Sequence, residues 1–127
     1  MRSATSLDLN NVALSDLDLA RVKRVVGAFI ERRRPPAHLR SKLDLAFRVS
    51  GQSVVISEVR PVWRGRPGEK HEHGAAKATY VKSTNHWRVY WLRRDLKWHA
   101  YTPAPYVKSI EDFVALVDAD ADACFFG

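Results

Sequence analysis

The stretch HWRVYWLRRDLKWHAY, residues 86–101, holds three of the chain's four tryptophans, interspersed with arginines and a lysine. Polar and apolar side chains alternate through HWRVYWLR and again through KWHAY, the period of a half-buried strand, with RRD as the reversal between them. A β-hairpin here makes a sheet the centre of the molecule. In its first strand Trp87, Val89 and Trp91 share one face and Arg88, Tyr90 and Leu92 the other. In its second strand Trp98 and Ala100 are expected on the tryptophan side, and Lys97, His99 and Tyr101 on the basic side. Burying an aromatic removes about 150 to 250 Å² from water, roughly 4 to 6 kcal/mol at ~25 cal/mol per Å². Stacking one base on an exposed ring contributes only ~1–3 kcal/mol. Folding therefore claims the tryptophan side and leaves the basic side as the surface that can bind.

Upstream, AAKATYVK reads as a further strand, with STN as the turn that follows it. Before it, RGRPGEKHEHG, residues 64–74, has four Gly or Pro residues and no apolar one, and is expected to be a mobile loop. In KLDLAFRV, Leu43, Leu45, Phe47 and Val49 fall on one face while Asp44 and Arg48 look the other way, and the SGQ turn reverses the chain into SVVISEVRP. In that strand Val54, Ile56, Glu58 and Arg60 oppose Val55 and Val59, and either side fits the core. At the two ends the period becomes helical. Residues 1–13 read as a polar tail; then Ser15 is an N-cap with Asp18 three residues on, flanked by Leu14 and Leu19 as a hydrophobic staple. Leu19, Val22, Val26, Phe29 and Ile30 give the buried stripe, and Pro35 stops the helix. Ser109 caps a second, short helix carrying Ile110, Phe113, Val114 and Val117, followed by the apolar tail CFFG, which can return as an edge strand or plug the core. The expectation is one α+β domain over residues 1–127: an N-terminal helix, a mostly antiparallel sheet of about five strands, a short C-terminal helix and an apolar tail.

Composition bounds the function. A chain of 127 residues with 46% hydrophobic and 28% charged side chains can bury one core without staples. No apolar run nears the ~20 residues of a membrane helix and the start MRSATSLDLNN lacks a signal-like segment, so a cytoplasmic place is expected. The lone Cys124 can make no internal disulfide and has no adjacent base to activate it. The net charge of +7 is unevenly spread: residues 35–108 hold fourteen basic and five acidic side chains, residues 109–127 none and five. A field of that sign favours phosphate-bearing or acidic partners, and also plain solubility.

The blocks RRRPPAHLRSKLDLAFRVSGQSVVISEVRPVW, AKATYVKSTNHWRVYWLRRDLKWHAYTPAP and SIEDFVALVDADADACFFG together resemble an uncharacterised bacterial family, domain of unknown function 3024. The resemblance runs from the first helix to the last residue. It implies a single domain and supplies no activity, cofactor or catalytic residue.

Three functional readings follow from the side chains. The favoured one is a small non-catalytic nucleic-acid binder using Arg88, Tyr90, Lys97, His99 and Tyr101, extended by Arg60, Trp63, Arg64 and Arg66 and by the helix-end Arg33 and Arg34. The same arginines also complement the negative helix end. The second is a metal-dependent nuclease in which Asp44 and Glu58 hold the cation and Arg60 stands where a lysine is expected, a poor replacement because a guanidinium hardly gives up a proton. The third is a protein-interaction module with an acidic partner. His71-Glu72-His73 offers two imidazoles without a placed third ligand, and Asp118, Asp120 and Asp122 lack the Gly and Glu of a calcium loop. Those three aspartates read as an acidic helix exit, able to lie across the basic face as a competitor for anions. The partners expected are nucleic acid, single- or double-stranded, or an acidic protein; neither membrane, metal nor cofactor is expected.

Overall fold

The computed structural model of the chain describes residues 13–120 and 124–126. The first helix, α1 (Asp16–Arg33), starts where the Ser15 hydroxyl accepts from the Asp18 amide at 3.1 Å and stops at Arg34, whose backbone has already turned extended before Pro35. A 3₁₀ turn (Ala37–Leu39) leads into the strands β1 (Asp44–Ser50), β2 (Ser53–Pro61), β3 (Lys70–Val81), β4 (His86–Leu92), β5 (Trp98–Ala100) and β6 (Tyr106–Val107), and α2 (Ile110–Ala119) follows. The expected α+β class and antiparallel sheet are both present, with one short strand more than anticipated. The order is β1-β2-β3-β4-β5, every pair antiparallel, and β6 continues along the β4 edge after a detour through residues 102–105.

The register shows which face is covered. Val54 lies opposite Ala78 and Ala78 opposite Val89; Ile56 lies opposite Ala76 and Ala76 opposite Trp91. This row meets Val22, Val26 and Phe29 of α1 and Ile110, Phe113 and Val117 of α2 in one core, so both helices lie on the same side of the sheet. Ala76 and Ala78, with short side chains, let the helices approach the middle of the sheet closely. Leu14 is buried beside the β1–β2 turn, its amide donating to the Gly51 carbonyl, whereas residues 1–12 of the expected polar tail lie outside the described residues. Of the two fates open to the tail, the core plug is the one adopted. Phe125 is buried against Tyr101, ring centres 4.8 Å apart, and the Asp120 carboxylate accepts from the Phe125 and Phe126 amides at 2.9 and 3.0 Å.

Two expectations are corrected. The loop assigned to residues 64–74 ends at Glu69, because Lys70–Gly74 form the first part of β3 and pair with Ser57–Pro61. Backbone pairing holds this ribbon; Lys70, His71, Glu72 and His73 are exposed and leave no apolar pattern to read. The second correction is in the β4–β5 hairpin. Five residues, 93–97, join the strands, with the Leu96 amide on the Arg93 carbonyl at 2.9 Å and the Arg93 amide on the Lys97 carbonyl at 3.2 Å. The partners are therefore Leu92 with Trp98, Trp91 with His99 and Tyr90 with Ala100. Residues directly opposite share a face, so Trp98 leaves the tryptophan side and His99 and Tyr101 join it.

Candidate nucleic-acid interface

No described element covers the other face of the sheet, and its centre is an aromatic and cationic patch. Val55, Lys77 and Tyr90 line up across β2, β3 and β4, with Arg88 and Leu92 two residues to either side of Tyr90. Trp98 opposes Leu92, and Tyr106 of β6 opposes Arg88. The Trp98 ring lies down across the sheet because position 74 is glycine. A Cβ there would stand 2.6 Å from Trp98 Cζ2 and 2.8 Å from Cη2. The ammonium of Lys77 sits between two rings, 5.4 Å from the centre of Tyr90 and 5.6 Å from that of Trp98. The Arg88 guanidinium lies 5.8 Å from the centre of the Tyr106 ring. Hydrogen bonding with Tyr90 holds the Arg88 guanidinium above its ordinary range, so it stays charged. Glu72, a carboxylate on this side, is taken by Arg48, which keeps it below the usual carboxylate range.

The residues expected at the interface fall into three places. Arg88 and Tyr90 are on the open face, and Lys97 is exposed in the hairpin loop beside Trp98. Arg60, Trp63, Arg64 and Arg66 are on the ribbon made by the ends of β2 and β3 and their connection. The others are turned to structural work on the helix side. His99 bonds Asp95 at 2.8 Å, which holds that carboxyl below its usual range, and Tyr101 is 2% exposed in the core. Arg33 pairs with Asp118 at 2.6 Å and caps the Phe126 ring, and Arg34 grips Asp44 through two bonds of 2.8 and 2.7 Å. Asp118 and Asp120 are thus engaged beside the helices and not across the basic face, and Asp122 lies outside the described residues. Sequence reasoning missed Trp98, Lys77 and Tyr106 as members of the patch. The signal for Trp98 was loop length: an odd number of loop residues pairs strand positions of equal parity, which puts Trp98 with Arg88 and Tyr90.

The model of the family described as Domain of unknown function (DUF3024) matches residues 14–127. The chain belongs to the DUF3024 family. No curated protein and no solved structure matches it. Both the open face and the ribbon lie inside the range matched by DUF3024.

The nuclease constellation does not assemble in this DUF3024 chain. Asp44 pairs with Val59 and Glu58 with Leu45, one step out of register, so successive side chains of the ladder carry the two carboxylates to opposite faces. The Arg34 guanidinium holds the Asp44 carboxyl below its ordinary value, and Asp44 raises Arg34 in turn. Arg60 lies 3.4 Å from Glu58. His71 and His73 share one side of β3, ring centres 4.3 Å apart, and among the described residues no group of three or more His, Cys, Asp or Glu side chains could hold a metal ion. No helix among the described residues is long and apolar enough to cross a membrane.

Proposed function

We propose that this chain binds single-stranded nucleic acid on the open face of its sheet and does not cut it. The observation that carries the reading is Lys77 set between the Tyr90 and Trp98 rings on a face that no described element covers, with Arg88 two residues along β4. Flat rings accept bases, and interleaved cations accept the phosphates between them. A duplex keeps its base faces stacked inside and has nothing to offer Tyr90 and Trp98. Discrimination against double strands therefore belongs to the reading. Non-catalytic binding is favoured because Asp44 and Glu58 project apart and Asp44 is committed to Arg34.

The test is fluorescence anisotropy of labelled single- and double-stranded DNA and RNA over a range of salt, with and without magnesium. The reading expects single strands to bind more tightly, with a log–log salt slope of about 0.7 per phosphate engaged. It also expects intact label and indifference to magnesium. Equal affinity for duplexes, or no binding at low salt, contradicts it. An acidic protein that binds the same face in the absence of any nucleic-acid affinity would favour the protein-interaction reading.

A further inference from the structure

The ribbon carries an exposed tryptophan that the open face does not use. Beyond Val59, whose partner on β1 is Asp44, β1 supplies no further pairing, so Arg60, Pro61, Lys70 and His71 continue as two strands projecting past the sheet. Their connection is built, not loose. The Val62 amide bonds the Glu69 carbonyl at 3.0 Å, the Glu69 amide bonds the Arg66 carbonyl at 3.0 Å, and the Gly65 amide closes a tight turn on the Val62 carbonyl at 3.1 Å. That turn puts Trp63 and Arg64 at its two corners. A Cβ at Gly65 would stand 2.5 Å from the Glu69 carboxylate and 2.7 Å from Val62, so only glycine lets the turn close this tightly.

Arg64 occupies the second corner with φ of +59, the left-handed conformation that turns of this kind give to glycine or asparagine. An ordinary side chain there is held at a conformational cost, and such outliers mark functional positions more often than random ones. What the arrangement gains is display. Trp63 is 80% exposed and the Arg64 guanidinium lies 4.4 Å from the centre of its ring, a flat face and a cation offered together to solvent. Arg66 and Lys70 belong to the same connection and ribbon strand, Arg60 lies beside Glu58, and Glu69 is turned inward to the Arg66 amide. The balance is strongly basic, and the chemistry that complements an exposed ring amid guanidinium groups is a base with its flanking phosphates.

We infer that Trp63 and Arg64 form a second stacking station for the same single strand that occupies the open face, so that the ligand runs from Trp98 along the projecting ribbon and full affinity needs an oligonucleotide long enough to reach both. This rests on the reading of the open face as a single-strand site. Trp98 lies over Gly74, where the ribbon leaves the sheet, and Trp63 stands at the ribbon's far end, so the two rings mark the two ends of one element.

The test uses the full chain and labelled single-stranded oligonucleotides of about 4 and about 12 nucleotides, within the range one small module engages. Trp63→Ala is expected to weaken the longer one about fivefold to a hundredfold, which is ~1–3 kcal/mol at 1.4 kcal/mol per tenfold, while leaving the shorter one within about twofold. Arg64→Gly relieves the backbone, so it should keep or raise the urea midpoint while also weakening the longer ligand; a merely structural turn residue would not separate the two readouts. If both variants bind the longer oligonucleotide as the parent does, while Lys77→Glu with Arg88→Glu still abolishes binding, the ribbon station is wrong and the open-face site stands. If the parent binds neither length, both fall.

Discussion

The two faces of this sheet use the same residue types to opposite ends. On the helix side Trp87 is 5% exposed beneath the helices, Val89 is fully buried and Tyr101 packs on Phe125. On the open side Trp98 and Tyr90, residues of the same kinds from the same hairpin and its exit, flank a lysine and share their surface with an arginine. What separates the two sets is neither hydrophobicity nor strand propensity but the register of one hairpin. Side-chain identity therefore says little about use here until the pairing partner is known.

The sharpest way to break the comparison is to truncate one tryptophan from each face. Trp87→Ala should destabilise the fold by about 3–5 kcal/mol, the usual cost of emptying an aromatic site in a core. Trp98→Ala should cost far less stability and remove single-strand binding. Urea midpoints that fall equally for the two variants would erase the distinction between the faces. A subtler probe changes no charge and no ring. Gly74→Ala drives a methyl into the place of the Trp98 ring. Because that ring is only half buried and can swing outward, the expected loss is about 1 kcal/mol, at the low end of overpacking, together with weakened binding. Unchanged affinity would mean that the lie of Trp98 is incidental.

Paired carboxylates on both sides of the sheet set the response to acid. Asp44, Glu72, Glu111 and Asp95 all sit below their ordinary values, through Arg34, Arg48, Arg21 and His99 respectively. A carboxyl lowered on folding contributes stability above its unfolded value, near ~4, and loses it as pH falls through the folded one. Stability should thus be level near neutrality and decline below about pH 4. Asp44→Asn should be less stable than the parent at neutral pH, with the gap closing on acidification; a gap that stays constant from neutral to acid pH would show that the Arg34 pair contributes nothing through its charge. The open face predicts the smallest effect. Arg88 should remain charged throughout, so binding should change little between neutral and mildly alkaline pH.

The helices, their serine caps, the β1–β2 hairpin and the core positions of β4 were legible because each is written in local chemistry: Ser15 and Ser109 before apolar stripes, Pro35 as a stop, alternation through KLDLAFRV. The first half of β3 was not, since a ribbon wet on both sides carries no apolar alternation, and β6 is two residues long. In the candidate site, Arg88 and Tyr90 were placed on the correct face from their own strand. Trp98 was exchanged with His99 and Tyr101 because the three tryptophans were grouped on one face by residue type, whereas an odd-numbered connection, three residues or the five at 93–97, pairs positions of equal parity. Arg33 and Arg34 looked like free cations because their carboxylate partners, Asp118 and Asp44, lie far away or in another element of the chain.

The central claim is that the open face, with Lys77 and Arg88 at its middle, is the site of single-strand binding. The most direct measurement compares the parent with Lys77→Glu/Arg88→Glu by anisotropy on one labelled single-stranded oligonucleotide across salt, with urea midpoints recorded alongside. The double reversal should abolish binding and leave a cooperative fold, with about 1 kcal/mol of stability lost at half-buried Lys77, where two ring contacts go, and about 0.5 kcal/mol at exposed Arg88. Binding by the reversed protein with the parent's affinity and salt slope would contradict it.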